Sequence, residues 1–273
     1  MVINIGCFSS LPAGYNGLVL NKPASIAHSS NKRKARITFE KEDIPAPQLW
    51  TTGAIPRDSY PLVGRTTNHS KGQGFWFCRN HFDAQRANRL GATHFIKFIE
   101  DTREFRVHVV SQTLGERTEA DYASIKMSEK VFEGVHHGQQ TDVMKNRVNG
   151  WVFKHPNEIS AKLLANLRSV AKKAVATFDM EWGAVDIMAD KDTGELYVLE
   201  INSSPRLTDQ HANTVDKYAD WILHLADVKK KNIKMVAKTA PRYVPPKQLA
   251  LRKISKKDPD VRLVKDLFTR IGF

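Results

Sequence analysis

The segment "WGAVDIMADKDTGELYVLEINSSPRL", which runs from Trp182 to Leu207, contains the most informative pattern in the chain. Two runs rich in apolar and β-branched residues, 182–189 and 195–202, are separated by "DKDTG", a cluster of turn-forming residues. This arrangement predicts a β-hairpin. The second run is apolar at its start and polar at its end, so a functional site is expected where the hairpin opens.

Three oxygen-bearing side chains are expected to converge at this open end. Glu200 and Asn202 are two positions apart, which places them on the same face of a strand, and Asp186 on the preceding strand can point into the same cleft. Carboxylate and amide oxygens are hard ligands that suit Mg²⁺, which takes its remaining ligands from water and nucleotide phosphates. The hairpin therefore predicts a Mg²⁺ site.

The charge of the chain is concentrated near its end. The 273 residues carry a net charge of +13, with a hydrophobic content of 41% that is typical of globular domains. Residues 229–273 contain fourteen Lys or Arg and three Asp, a net charge of +11, so the preceding part is nearly neutral. A basic tail of this kind fits an acidic partner, either nucleic acid or an acidic protein.

The cysteines and the N-terminus indicate a cellular compartment. Cys7 and Cys78 are the only cysteines, and they form neither a C-x-x-C pair nor a disulfide framework. This usage fits a reducing environment. The N-terminus lacks a charged leader followed by an apolar run, and no apolar stretch approaches the roughly 18 residues of a membrane span. We therefore expect a cytoplasmic protein without a membrane role.

Hydrophobic periodicity predicts the other elements. The clearest helix runs from about Asn157, a candidate N-cap, to Phe178. In the strand 104–111, apolar residues at odd positions alternate with Glu104, Arg106 and His108, which predicts one core face and one face that meets water or ligand. Further helices are predicted within 22–43, at 82–90 and at 215–225, and further strands at 48–51, 61–65, 95–99 and 122–127.

The segments "GAVDIM" and "LEINSSPRL", with Asp186 and Glu200 fourteen positions apart, resemble the metal-binding end of the ATP-grasp ligases. The likeness is greatest to the ribosomal-protein glutamate ligase branch and to short phage-encoded members. It implies an α+β fold in which two α/β lobes with mainly antiparallel sheets clasp ATP. Residues 51–228 would form these lobes, 1–50 a truncated preceding segment with a short α/β portion, and 229–273 a basic C-terminal extension.

The segment "YPLVGRTTNHSKGQGFWF" is similar to the strand and flexible glycine loop that close over the triphosphate in this family. Gly72 and Gly74 allow backbone amides to approach phosphate oxygens, and His69 is a polar helper. Arg65 stands where the family usually has a phosphate-binding Lys, which keeps the charge but changes its reach. The resemblance therefore implies that these four residues bind ATP.

The segment "HFIKFIEDTREFRVHVV" is similar to the hinge strand of the family and the strand that follows it. On this resemblance Lys97, Phe98 and Ile99 lie beside the adenine base, and Arg106 points at phosphate as a catalytic residue. A guanidinium suits that role because it stays charged and offers a fork of donors.

The segment "MKNRVNGWVFKH" resembles a later part of the family that stabilises the transferred phosphoryl group. Lys145 and Arg147 are both candidates for this role, and Arg147 is favoured as the catalytic residue, with Lys145 as an ATP ligand. Lys126, on a predicted strand, is a further candidate phosphate ligand.

Residues just beyond the metal ligands are candidates for binding the acceptor substrate. Ser203, Ser204 and Arg206 follow Asn202 directly, and an Arg can clamp a carboxylate through two hydrogen bonds. The segment before residue 50 is too short for a complete N-terminal domain of the family, so the sequence does not identify the acceptor.

The resemblance implies a carboxylate–amine ligase that uses ATP and Mg²⁺ and proceeds through an acylphosphate. The carboxylate and amine substrates are unidentified, and an acidic protein or peptide is one candidate. Two alternatives stay open at this point. A kinase with the same fold would phosphorylate a hydroxyl, and a non-enzymatic protein would bind nucleic acid through residues 229–273.

Overall fold

A computed structural model of the chain describes residues 2–4, 17–51, 55–67, 74–134, 143, 145–147, 149–205 and 214–236. The helices are α1 (Pro23–Ser30), α2 (Lys32–Lys41), α3 (His81–Arg89), α4 (Ala161–Thr177) and α5 (Thr214–Val236). The strands are β1 (Val2–Ile3), β2 (Val19–Leu20), β3 (Leu49–Thr51), β4 (Leu62–Arg65), β5 (Phe75–Cys78), β6 (His94–Lys97), β7 (Thr102–Ser111), β8 (Tyr122–Phe132), β9 (Trp151–Lys154), β10 (Trp182–Asp190) and β11 (Leu196–Asn202). The predicted α+β class is confirmed.

The larger sheet contains five antiparallel strands in the order β11-β10-β7-β8-β9. Phe105, Val107 and Val109 of β7 are fully buried on one face, in a core that includes Leu167 and Ala171 of α4. Burial of apolar surface contributes about 25 cal/mol per Å². This face therefore holds the main core, and the predicted alternation of β7 is confirmed there.

The opposite face of the larger sheet is a partly covered polar surface. Glu104 and His108 point to it, yet they are only 6% and 3% exposed. Each has a partner, Lys130 for Glu104 and Tyr218 of α5 for His108, as buried polar groups require. The face predicted to meet water or ligand is therefore closed at these two positions, and Arg106 between them is only partly exposed.

The smaller sheet has four antiparallel strands in the order β3-β6-β4-β5, with α3 packed against it. Its core includes Trp50, Leu62 and Phe95. Gly64 of β4 lies against the Phe95 ring, where a Cβ atom would come within 3.0 Å of a ring carbon. The two sheets are the two antiparallel layers expected for the lobes.

The helix α4 begins later than its periodicity predicts. Asn157 is not its N-cap; Ser160 is, and its hydroxyl oxygen accepts a hydrogen bond from the backbone N–H of Leu163 at 3.1 Å. The reason is local, because Glu158 has a φ of +32°, which no α-helical residue adopts. β8 and α5 extend further than predicted, to Phe132 and Val236.

The segment before residue 50 packs on the larger sheet. Phe39 of α2 and Ile44 belong to the same core as β7 and α4. Asn21 is fully buried, and its side chain both donates to the carbonyl of Trp182 and accepts from its N–H, which joins the segment to the start of β10. β1 and β2 pair in parallel.

None of the helices in the described part of the chain combines the length and the apolar character needed to cross a membrane. The basic segment is described only as far as Val236, where α5 ends, and residues 237–273 lie outside the described residues.

Candidate functional site

A β-bulge in β11 determines which side chains reach the polar face. Val198 is fully buried in the core opposite Ile187, whereas Glu200 lies opposite Asp186, so Leu199 is skipped in the pairing. The extra residue reverses the alternation of the strand. This is how a strand with an apolar start can present Glu200 at its end on the polar face.

Four polar residues on neighbouring strands form one row across this face. Glu200 of β11 lies opposite Asp186 of β10, Asp186 opposite Arg106 of β7, and Arg106 opposite Ser128 of β8. Residues directly opposite in antiparallel strands point to the same side of a sheet. We call these four residues the polar row.

Arg106 and Asp186 form the most buried ion pair of the row. The Nε and Nη2 atoms of Arg106 each lie 2.7 Å from one carboxylate oxygen of Asp186, which is a two-pronged pairing. Burial alone would lower the pKa of the guanidinium, but the charge and hydrogen bonds of Asp186 raise the pKa above its ordinary value. Asn202 Nδ2 donates to Asp186 at 3.2 Å, so Asn202 lies at the same point.

Glu200 is paired with a residue from the other end of the chain. The ammonium nitrogen of Lys32, at the start of α2, lies 2.5 Å from its carboxylate. Burial favours the neutral acid, but the charge and hydrogen bond of Lys32, together with Arg106, hold the pKa of Glu200 below its ordinary value. Glu200 is therefore ionised, and each of the two carboxyl groups faces a cation.

A second buried ion pair lies one step further along the face. Glu104 and Lys130 are directly opposite in β7 and β8 and form an ion pair. Burial raises the pKa of Glu104, and Lys130 offsets part of this effect. The ring of Phe153 in β9 lies 5.0 Å from the Lys130 ammonium and 4.3 Å from the Arg106 guanidinium. Cation–π contacts thus hold both cations on the face.

Helix α5 closes the other end of the face. Nδ1 of His108 lies 3.0 Å from the hydroxyl of Tyr218. Burial, together with the nearby positive charges of Arg106, Lys126 and Lys217, lowers the pKa of His108 to about 3. The imidazole is therefore neutral and adds no charge to the site. Lys126 lies opposite His108, so this candidate is on the polar face.

The two candidates from the "MKNRVNGWVFKH" segment have different surroundings. The Lys145 ammonium donates to the carbonyl of Thr102 at 2.8 Å and lies 5.1 Å from the Trp151 ring centre. Its charge also acts on Glu104. Arg147 is exposed in the turn before β9. Lys145 is thus beside the face, whereas Arg147 points to solvent.

The smaller sheet presents Arg65 toward the row. The guanidinium lies over the Phe75 ring at 5.3 Å, and burial lowers its pKa while the charge of Glu200 acts in the opposite direction. The two side chains therefore influence each other across the space between the sheets. Gly74, at the end of the glycine loop, has a φ of +57°, and a Cβ there would overlap the side chain of Thr66. His69 and Gly72 lie outside the described residues.

The hinge candidates belong to the smaller sheet. The Lys97 ammonium donates to the carbonyls of Ser59 at 2.8 Å and Tyr60 at 3.3 Å, which ties β6 to the preceding 3₁₀ turn. Phe98 packs edge-on against Phe77, with ring centres 4.9 Å apart. Ile99 is half-buried. These contacts fix the hinge backbone, and their role toward adenine stays a prediction.

The acceptor candidates follow directly on β11. Ser203 is buried and Ser204 is exposed, while Arg206 lies outside the described residues. The structure therefore places the two serines next to Asn202.

Sequence reasoning did not identify Lys32, Ser128 or Lys130, and it placed Glu104 on the face of β7 that meets water or ligand without giving it a role. A signal existed for two of them, since Lys126, Ser128 and Lys130 recur with period two in β8 and so share a face. For Lys32 the signal is its position in α2. It lies four positions before the buried Arg36, on the face of the helix where apolar residues are the norm.

The chain was compared with known proteins, and no family model matches it. A D-alanine–D-alanine ligase from Polynucleobacter asymbioticus is 34% identical over 77 residues, which make up 26% of this chain and 23% of that enzyme. The similarity therefore spans less than a quarter of this relative.

Solved structures share the fold over most of the described chain. N5-carboxyaminoimidazole ribonucleotide synthetase with ADP has a TM-score of 0.60 at 19% identity, over 77% of this chain and 55% of that chain. D-alanine–D-alanine ligase from Bacillus anthracis has a TM-score of 0.57 at 14% identity, over 78% and 73%. Biotin carboxylase from Campylobacter jejuni has a TM-score of 0.54 at 15% identity, over 69% and 43%. The fold that these enzymes share is the ATP-grasp fold, and the chain has this fold.

The donor set of the row suits Mg²⁺. Asp186 and Glu200 provide carboxyl oxygens on facing positions, and Asn202 provides an amide oxygen beside them. No cluster of three His, Cys, Asp or Glu that could hold an ion occurs in the described part of the chain. Mg²⁺ needs few protein ligands when phosphates and water complete its shell, so two carboxylates and an amide are sufficient.

Proposed function

We propose that the chain is an ATP- and Mg²⁺-dependent carboxylate–amine ligase. The observation that carries the proposal is the polar row, where Asp186 and Glu200 face each other beside Asn202 and the flanking positions are cationic. The row also lies near the smaller sheet, since the charge of Glu200 acts on Arg65 of β4. The chain spans 23% of the Polynucleobacter ligase and 43% of the biotin carboxylase. The activity of the whole protein is therefore a proposal and is not taken from those enzymes.

The triphosphate would lie over the cations that surround the row. Arg106 and Lys130 are held there by carboxylates and by the Phe153 ring, so they are oriented before any ligand arrives. Arg65 would reach the phosphates from the smaller sheet, and the backbone at 97–99 would hold the base. Lys126 and the glycine-loop residues His69, Gly72 and Gly74 would complete the nucleotide site.

Asp186, Glu200 and Asn202 would hold Mg²⁺, which would neutralise charge on the β- and γ-phosphates. Lys32 pairs with the Glu200 carboxylate, and it would be available to a phosphate oxygen if the ion took over that carboxylate. Arg106 is a permanent cation by virtue of Asp186, which makes it suited to charge that develops on the transferred phosphoryl group.

The reaction has two steps. An oxygen of the substrate carboxylate attacks the γ-phosphorus, the bond from that phosphorus to the β–γ bridging oxygen breaks, and ADP leaves with the electron pair. The amine nitrogen then attacks the acyl carbon of the acylphosphate, phosphate leaves, and the amine proton passes to solvent. Lys145 beside the face, or Arg147, would stabilise the phosphoryl oxygens.

The acceptor would bind beyond Asn202, where Ser203, Ser204 and Arg206 follow β11. The two substrates are a carboxylate and an amine. An acidic peptide or protein among them would match the positive charge of the basic segment 229–273. The predicted domain boundaries at residues 50 and 228 are kept in this proposal. In addition, α2 in the first segment supplies Lys32 to the site.

The test measures ADP release and product masses together. Purified protein is incubated with ATP, Mg²⁺, pooled amino acids and acidic peptides, in parallel with Glu200→Gln. Glu195→Gln is the matched control, because Glu195 lies in the same hairpin but is exposed and bonded to the Tyr197 hydroxyl. We expect metal-dependent ADP release with a product mass equal to the two substrates minus water, in the wild type and the control alone.

Two results would overturn the proposal. A product that gains the mass of phosphate on a hydroxyl would make the protein a kinase. Unchanged ADP release by Glu200→Gln would show that the row is not the site of phosphoryl transfer.

A further inference from the structure

The guanidinium of Arg36 in α2 has an unusual set of partners. The side chain is 7% exposed, and its Nη1 and Nη2 atoms donate to the carbonyl oxygens of Val198 at 2.5 Å and Leu199 at 2.9 Å. Buried guanidinium groups are generally paired with a carboxylate, because burying a charge is costly. Here the donors instead go to two successive backbone carbonyls, and burial lowers the pKa of Arg36 to about 10.

These two carbonyls lie at the β-bulge of β11. Among the described residues β11 is an edge strand, so no strand pairs with its outer side there. The Val198 N–H donates to the carbonyl of Pro45 at 2.7 Å, and Arg36 bonds the carbonyls of Val198 and of Leu199, the residue that the pairing skips. An extra residue in a strand leaves backbone groups outside the ladder. Arg36 satisfies these groups.

The bulge decides where Glu200 points. Without the extra residue, Glu200 would share the face of Val198, which is fully buried in the apolar core. With it, Glu200 lies opposite Asp186 on the polar face. A group that holds the bulge therefore determines whether the two carboxylates face one site.

We propose that Arg36 is a positioning residue that holds the bulge at Leu199 and thereby places the Glu200 carboxylate beside Asp186. This inference rests on the proposed function, in which that pair of carboxylates binds the metal ion of the nucleotide. Arg36 donates to the backbone carbonyls of the two residues that precede Glu200, and the charge of Glu200 also acts on it.

The test measures metal binding without turnover. Free Mn²⁺ is followed by electron paramagnetic resonance as it binds the full chain with a non-hydrolysable ATP analogue. We expect Arg36→Met to raise the Kd for Mn²⁺ by about tenfold, because Glu200 is no longer held. Arg36→Lys keeps the charge but cannot span both carbonyls, so we expect a smaller increase, with affinity for the metal-free nucleotide unchanged in both variants.

Arg117→Met is the matched control for loss of a buried guanidinium. Arg117 pairs with Glu181 at 2.8 Å and with Asp179 at 2.5 Å, near the start of β10 and away from the bulge. We expect it to lower the melting temperature while leaving the Kd for Mn²⁺ unchanged. If Arg36→Met does not fold, Arg36→Lys provides the same comparison.

Three results have distinct meanings. An equal rise in Kd in the Arg36 and Arg117 variants, or none in the Arg36 variants, would overturn the positioning role while the proposed function stands. If wild-type protein binds no Mn²⁺ with nucleotide, the proposed function fails, and the positioning role fails with it. A rise in the Kd for Mn²⁺ that is confined to the Arg36 variants supports the positioning role of Arg36.

Discussion

Asp186 and Glu200 lie directly opposite each other on antiparallel strands. The bulge at Leu199 lies between this pair and the neighbouring apolar pair of Ile187 and Val198. Each carboxylate is matched by its own cation, Arg106 for Asp186 and Lys32 for Glu200. The site is thus close to electrically balanced before any ligand binds. Arrival of an ion there must displace or redistribute these cations.

The ion pair of Arg106 and Asp186 should contribute to the free energy of unfolding independently of its role in the proposed activity. Asp186→Asn leaves a largely buried guanidinium without its carboxylate, and breaking such a pair costs about 3 kcal/mol or more. We expect the free energy of unfolding, from urea titration at pH 7, to fall by about this amount, and ADP release to be lost.

The double variant Arg106→Met/Asp186→Leu is the control for this experiment. It removes both charges, so we expect most of the stability to return while activity stays absent. A double variant as unstable as Asp186→Asn would contradict the view that the lost stability comes from an unpaired buried charge.

His108 should make stability fall in mild acid. Its pKa is lowered to about 3 in the folded chain by burial and by neighbouring cations, whereas an unfolded histidine titrates near about 6.5. Below pH 6.5 the unfolded state therefore gains a proton that the folded state does not take up. The stability that neutral His108 contributes is present above the unfolded pKa and is lost progressively as the pH falls below it.

The measurement compares the wild type with His108→Gln. We expect the free energy of unfolding of the wild type, relative to that of His108→Gln, to fall by about 1.4 kcal/mol for each pH unit well below 6.5. Urea titrations at pH 7.5 and pH 5 provide the comparison. Movement of the His108 imidazole proton resonance between these pH values in the folded protein would contradict it.

Local patterns in the sequence were sufficient for most of the fold. The alternation in β7 and the turn cluster "DKDTG" predict a strand and a hairpin that the structure confirms. The period of two places Glu200 and Asn202 on one face of β11, and the bulge at Leu199 makes this the face that carries Asp186. These features depend on neighbours within a few residues, which is where periodicity carries information.

Other parts of the site depend on contacts that no local pattern specifies. The bulge at Leu199 arises where backbone groups of β11 find partners in Arg36 and Pro45, more than 150 positions earlier. Lys32 reaches Glu200 in the same way, through the packing of α2 on the sheet. The N-cap of α4 was missed for a smaller reason, the left-handed conformation of Glu158, which sequence does not favour.

Gly74, at the end of the predicted glycine loop, should tolerate substitution poorly. An added Cβ at this position requires a left-handed backbone and overlaps the side chain of Thr66. We expect Gly74→Ala to lower the free energy of unfolding by about 2 kcal/mol or more and to raise KM for ATP, because β4 and β5 can no longer approach at the loop.

Gly194→Ala is the matched control. Gly194 has a φ of +73°, but an added Cβ there meets nothing within 4 Å. Only backbone strain of about 1 kcal/mol is then expected, with KM for ATP unchanged. Equal effects of the two substitutions on KM would show that the contact with Thr66 has no bearing on nucleotide binding.

Lys145 and Arg147 can be distinguished by their effect on turnover. Lys145 lies beside the polar face, bonded to Thr102 and close enough to act on Glu104, whereas Arg147 is exposed. Loss of a charge that stabilises the transferred phosphoryl group should act on kcat rather than on KM. We expect Lys145→Met to lower kcat at saturating ATP by about tenfold or more, and Arg147→Met to change it by less than about twofold. The reverse order would assign the phosphoryl group to Arg147, as the sequence resemblance favours, and would require the segment around it to move toward the row when ATP binds.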